Sequence, residues 1–242
     1  MIGWRARLGF LLPPGNPTIE PEVISLTPTG VSVHFHRMTA RGVTGSLDGQ
    51  EERNRMMIAS LDDGVEMLAQ VKPDIIVLAH TATSYTLGRK AETELLARLT
   101  NASGISVVSA FGSVVAALER LGVKRLSLGA PYSPETTAQG RAHLEAHGYT
   151  VMRSDNLTGV VNIYDTTAEQ AYLLARSVDT AESEAVFLSG TGMPTLPVLE
   201  TLERDLGKPA LSSNAAMMWH ALRSCGVREP ISGYGRLLQL AD

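Results

Sequence analysis

Two stretches of the chain end an apolar run in small hydroxylated residues and free backbone N–H groups, and one of them adds an imidazole. In Asp74–Gly88 (DIIVLAHTATSYTLG), Ile75, Ile76, Val77 and Leu78 run into His80, Thr81, Ala82, Thr83 and Ser84. In Glu184–Thr195 (EAVFLSGTGMPT), a similar run ends in Ser189, Gly190, Thr191 and Gly192. With Tyr132 and amide side chains, such groups suit binding a carboxylate and stabilising an enediolate-like charge. The carboxyl end of a strand is where open α/β sheets bind ligands. Taken singly, each stretch also reads as an ordinary strand–helix loop with N-cap hydroxyls. His80 brings an ordinary pKa of about 6.5, suited to proton transfer near neutrality; it could equally serve only as a hydrogen-bonding group. Asn16, in the turn PPGNPT, could donate its amide to a carboxylate or serve that turn.

Positioning these groups requires strands. The run Asp74–Ala79 is short and apolar throughout, which predicts a strand buried on both faces, as in a parallel sheet. The residues after it predict a loop that turns helical near Gly88. The pattern then recurs: Gly104–Val123 echoes Gly207–Val227, and Arg7–Pro14 echoes Arg125–Tyr132. Three elements repeated in one order predict two similar α/β halves with parallel sheets, not a solenoid of shorter repeats. The expected division is residues 1–111 plus 218–242 for the first half and 112–217 for the second. The tail GYGRLL is expected to close on the first half.

Between the strands, Asp48 and Glu51 predict the N-terminus of a helix reaching about Val71, with Met57, Leu61, Val65 and Leu68 inward. Further helices are expected over Glu92–Leu99, Glu135–His147 and Thr167–Val178, with His143 and His147 on the solvent side. The Gly-rich, charged Arg37–Gln50 is expected as a loop over the site or at an interface. His34 and His36 share one face of a strand; that pattern can ligate zinc or be a plain strand face.

Composition narrows the function. A chain of 242 residues with net charge −4 has no basic field for nucleic acid. Leu8–Leu12 is broken by Pro13 and Pro14 and is too short for a signal peptide or membrane span. The single cysteine, Cys225, excludes an internal disulfide and a thiolate metal cluster. These features predict a cytoplasmic protein, with homo-oligomerisation left open. GTG at Gly190–Gly192 lacks dinucleotide-fingerprint spacing, and neither a phosphate loop nor a G-x-S-x-G elbow occurs. No cofactor and no metal are expected.

Nearly end to end, the chain resembles the aspartate/glutamate racemase superfamily, in the branch of arylmalonate decarboxylase and maleate cis–trans isomerase. The resemblance rests on LLPPGN with Asn16, HFHRM at His34–Met38, HTATS at His80–Ser84 and Tyr132. It continues through LTGV at Leu157–Val160, LSGTG at Leu188–Gly192, SSN at Ser212–Asn214 with Trp219, and GYGRLL. It implies two flavodoxin-like halves with a substrate cleft between them. It also implies one cysteine at position 80 and another at position 190 in isomerases and racemases, the second alone in decarboxylases. This chain has His80 and Gly190 there, and Cys225 lies elsewhere. The implied carboxylate cradle comprises Asn16, Thr81, Ala82, Ser84, Tyr132, Ser189, Gly190, Thr191, Gly192 and Asn214. His80 is then the expected proton carrier, with Tyr132 as the second catalytic candidate. The resemblance implies a cofactor-free lyase, decarboxylase-like, or an isomerase of a small carboxylate or dicarboxylate. A maleate isomerase working without cysteine and a carboxylate-binding protein without catalysis are the alternatives.

Overall fold

The computed structural model describes residues 2–240. The first half runs β1 (Ala6–Leu12), α1 (Ile19–Ser25), β2 (Val31–Arg37), α2 (Gln50–Ala59), α3 (Leu61–Ala69), β3 (Ile75–Leu78), α4 (Thr81–Ser103), β4 (Ser106–Ser109) and α5 (Ala110–Arg120). The second runs β5 (Arg125–Ala130), α6 (Pro134–Ala146), β6 (Thr150–Asn156), a 3-10 turn (Ile163–Asp165), α7 (Ala168–Val178), β7 (Ala185–Leu188), α8 (Leu196–Leu206), β8 (Ala210–Ser212) and α9 (Ser213–Ser224). A short α10 (Arg236–Gln239) follows. The two four-stranded sheets have the orders β2-β1-β3-β4 and β6-β5-β7-β8, with every pairing parallel. Leu11 pairs with Leu78 and Gly129 with Leu188, so β3 and β7 hold equivalent places. No helix among the described residues is long and apolar enough to cross a membrane.

The apolar run of β3 is buried on both faces, as its composition requires. Ile75 and Val77 join a cluster that continues through α5 and α9 into the second half. Ile76 and Leu78 join another with Met57, Leu61, Val65, Leu68 and Leu99. Each such buried aliphatic side chain contributes about 1.5–3 kcal/mol. At the ends of β4 and β8, Ser109 and Ser212 cap α5 and α9 by accepting from Gly112 N (2.8 Å) and Ala215 N (3.2 Å).

Three expectations need correction. Helix α4 begins at Thr81, directly after His80, instead of near Gly88. Threonine and serine are weak helix formers, but here tertiary hydrogen bonds occupy their hydroxyls. Gly88, at φ 73 and ψ 163, is the break within the helix and not its start. The expected helix to Val71 is two helices parted at Ser60, whose hydroxyl donates to Met57 O and accepts from Thr39 N. Its N-cap is Gly49 in the left-handed region (φ 67), with no side-chain cap from Asp48; Glu51 turns instead to Arg55 and Thr86. His143 is buried and not solvent-facing, because the Glu92 carboxylate lies opposite it. In the tail, Arg236 N donates to Glu203 Oε2 on α8 (2.8 Å) and Leu240 O accepts from Arg223 Nη2 on α9 (2.6 Å).

Candidate active site

His80 and Gly190 each stand two residues beyond the equivalent strand ends, Leu78 and Leu188. The two ends face and touch. Thr191 Oγ1 donates to Ala79 O (3.2 Å), and Thr81 Oγ1 donates to Ser213 Oγ (2.9 Å), which also accepts from Gly190 N (3.3 Å). From the end of β1, Asn16 Nδ2 reaches Thr191 Oγ1 (3.4 Å), and Thr18 Oγ1 donates to Gly192 O (2.8 Å). The carboxyl ends of β1, β3, β7 and β8 thus converge on one buried seam. Ala82 lies buried in the first turn of α4 at the same place.

The two readings of Asn16 both have a counterpart here. Its Oδ1 accepts from Thr18 N (2.9 Å) and Ile19 N (3.1 Å), which is local turn bonding, while its NH2 points across the seam. Two other expected cradle residues spend their donors elsewhere, although Asn214 Oδ1 is buried with no hydrogen-bond partner among the described residues. Ser84 Oγ donates to Glu92 Oε1 (2.6 Å), whose Oε2 faces His143 Nε2 at 3.2 Å. Asn214 Nδ2 donates to Glu22 Oε2 (2.6 Å) and Thr191 O (3.2 Å), so Asn214 braces the glycine loop from behind. Sequence reasoning missed Glu22 and Glu92. Both are acidic residues on helices, and nothing in their local spacing marks them as buried.

Aromatic hydroxyls close the second side. Tyr85 OH and Ser189 Oγ are 2.8 Å apart, joining α4 to the end of β7. Gly190 has φ +101, and a Cβ there would stand 3.0 Å from Pro131 Cδ and 3.2 Å from the Tyr132 hydroxyl. Tyr132 is buried, and desolvation raises its pKa well above the ordinary value, so it is a neutral hydrogen-bond donor. Tyr164, also missed, lies where a Cβ on Gly192 would fall 2.8 Å from its ring. It sits on a loop zipped to the Gly-rich segment 41–49: Ile163 N donates to Gly45 O (2.8 Å) and Leu47 N to Val161 O (3.1 Å). That Gly-rich segment therefore lies over the seam, one of the two places expected for it.

His80 is the ionisable group at the centre. Its Nδ1 lies 2.8 Å from Thr83 Oγ1, and Nε2 has no hydrogen-bond partner among the described residues. Burial lowers its pKa to about 4, so the imidazole is neutral at pH 7 in the ligand-free protein. Opposite it, Gly190 offers backbone only. One face of the seam can exchange a proton through His80; the other can only stabilise charge. Cys225 is remote. It follows α9 eleven residues beyond Asn214, about 16 Å at the helical rise, and burial pushes its thiol up to about 11. Among the described residues no three His, Cys, Asp or Glu side chains are grouped to hold a metal ion; His34 Nε2 bonds Ser32 Oγ (3.0 Å). A surface hollow of about 400 Å³ beside Asp62, Val65 and Leu99 lies on the far face of the first sheet and includes none of the seam residues.

Known proteins resemble this chain in sequence and fold. The maleate isomerase of Nocardia farcinica is 30% identical over 96% of this chain and 95% of its own length. The arylmalonate decarboxylase of Bordetella bronchiseptica is 30% identical over 75% of this chain and 78% of its own. A solved structure of a Nocardia farcinica maleate cis–trans isomerase mutant, with a covalently bound succinylcysteine intermediate, superposes with a TM-score of 0.86 at 29% identity, covering 97% of this chain and 98% of that one. Arylmalonate decarboxylase itself superposes at a TM-score of 0.79 and 22% identity, a likeness of fold alone. The model of the arylmalonate decarboxylase family matches residues 8–238, and the chain belongs to that family.

Proposed function

We propose that this protein is a cofactor-independent lyase that decarboxylates a small malonate-type dicarboxylate through an enediolate, using His80 where relatives use a thiol. The observation that carries this reading is the asymmetry of the seam: a partner-free imidazole nitrogen on one side and glycine backbone on the other. One substrate carboxylate is held by the N–H groups of Thr191 and Gly192, by Ser189 and by the neutral Tyr132 hydroxyl, while Thr81 and Gly190 N, both bonded to Ser213, fix the seam around it. Breaking the bond to the second carboxylate releases CO2 and leaves its electron pair in the enediolate. A dianionic substrate beside His80 raises that histidine's pKa. The resulting imidazolium delivers its proton to the α-carbon and is reprotonated from water. The lone, unpaired Cys225 supports a cytoplasmic setting.

Isomerisation of a maleate-like alkene is the second reading, supported by the 30% identity to a maleate isomerase over 96% of this chain. With no thiol at the seam, it would proceed without the cysteine adduct held in the Nocardia structure. The test is turnover of prochiral malonates and of maleate, followed by NMR in deuterated water. The expected result is CO2 loss with one deuterium and one enantiomer. Racemic product would place proton transfer on both faces and overturn the one-sided mechanism. Tight carboxylate binding without turnover would make the protein a binding module.

A further inference from the structure

We propose that Glu22 is a positioning residue that sets the Gly190–Thr195 loop from the opposite half of the molecule. The inference rests on the function proposed above only where turnover is the readout. Glu22 lies on α1, in the first half, and is buried. Its Oε1 accepts from Thr195 N (2.7 Å) and Leu196 N (2.9 Å), the entry to α8 in the second half. Thr195, at the N-cap of α8, makes no capping bond of its own. A carboxylate 173 residues away in sequence does that work, and the helix dipole favours its charge.

The other oxygen extends the grip. Glu22 Oε2 accepts from Asn214 Nδ2 (2.6 Å), and the same NH2 donates to Thr191 O (3.2 Å). Glu22 therefore holds both ends of the loop, Thr195 directly and Thr191 through Asn214. Between them lie Gly192, Met193 and Pro194, and the loop begins at Gly190. Every partner of the carboxylate is a donor, so the arrangement is complementary to the ionised form. Burial outweighs the pull of Asn214, Leu196 and Thr195 and leaves its pKa above the ordinary carboxylate value.

The fold repeats this idea on the other side with different chemistry. Helix α6 occupies in the second half the place of α1 in the first, since each follows the first strand of its sheet. Its His143 reaches Glu92 on α4, the helix that carries His80 at its N-cap. Each strand-end segment is thus gripped by the first helix of the opposite half. A residue that only stabilised the fold would need no link to Thr191; Glu22 has one through Asn214.

The test compares Glu22→Gln and Glu22→Asp with the wild type. The Gln variant sets an NH2 against the Asn214 NH2; the Asp variant keeps the charge and draws it back by one methylene, so it remains foldable if Gln does not. The expected result is a fall in kcat per folded site of ~10²-fold for a displaced reacting geometry, with KM changed far less. Amide shifts of Gly190 and Gly192 should move in ¹H–¹⁵N spectra of the ligand-free variants. A lowered Tm with wild-type kcat and unmoved glycine amides would make Glu22 a structural cap and overturn the proposal. Moved glycine amides in the variants, alongside a wild type that turns over no carboxylate, would sustain the grip while the proposed function fails.

Discussion

The hydroxyl of Thr191 donates to the carbonyl oxygen of Ala79 across 3.2 Å, bonding the end of β7 to the end of β3. Through that contact the equivalent strand ends of the two halves become one seam, with His80 next to Ala79 and Gly190 next to Thr191. The chemistry argued for this protein depends on that juxtaposition.

His80→Ala is expected to lower turnover by ~10²–10⁴-fold, the range for removing a general acid or base. Binding of malonate, measured by calorimetry, should change far less, because the carboxylate rests on backbone N–H groups and hydroxyls. Full turnover in this variant would move the proton transfer to Tyr132 or a water.

The pH dependence follows from burial of His80. Its folded pKa of about 4 lies below the ordinary value of 6.5, so the unfolded chain binds a proton that the native chain refuses. This contribution to stability is fully present above pH 6.5, is lost as pH falls toward 4, and is constant below that. It amounts to roughly 3 kcal/mol. Urea denaturation at pH 7 and pH 4 should show the difference in the wild type and lose it in His80→Gln. Malonate binding at pH 6 should take up a proton in the wild type and none in His80→Gln, read from calorimetry in buffers of different ionisation enthalpy.

Gly190→Ala is expected to destabilise by about 1–3 kcal/mol, since φ +101 is a region that L side chains occupy only under strain. The added methyl also presses on Pro131 and displaces the Tyr132 hydroxyl, so turnover should fall with it. Thermal melts and steady-state rates on the same preparation check both effects. An unchanged rate would remove the Tyr132 hydroxyl from the charge-stabilising set.

Cys225→Ser is expected to keep most turnover, and alkylation of the wild type should not abolish it. The thiol sits at the far end of α9, close enough to Asp74 to feel its charge, at the opposite end of β3 from His80. Complete loss of activity in a folded Ser variant would return the chemistry to a cysteine.

His143→Ala is expected to cost about 1–3 kcal/mol, because it removes one hydrogen-bond partner of the buried Glu92 carboxylate and leaves it Ser84. Glu92→Gln/His143→Ala together should cost less than the sum, as measured by a double-mutant cycle in urea. Strict additivity would show the pair to be uncoupled.

The one-dimensional pattern determined most of the strands, their parallel sense and the repetition of the fold, but it missed β6 (Thr150–Asn156), whose half-exposed, polar residues carry no apolar run. Buried strands such as Ile75–Leu78 must be apolar on both faces, and two copies of one order of elements leave few arrangements open. It also marked His80 and Gly190 as the contrasting strand ends, because both lie at fixed distances from their runs. What it could not reveal is where side chains spend their hydrogen bonds. Ser84 serves Glu92, Asn214 serves Glu22, and His143 turns inward, each because a partner 8 to 192 residues away meets it in three dimensions. The helix that starts at Thr81 has the same cause: hydroxyls that would oppose a helix in isolation are satisfied by Ser213, His80 and Glu92. Local preference is weak and long-range complementarity is strong, so tertiary structure alone decided which polar residues face the seam and which hold it in place.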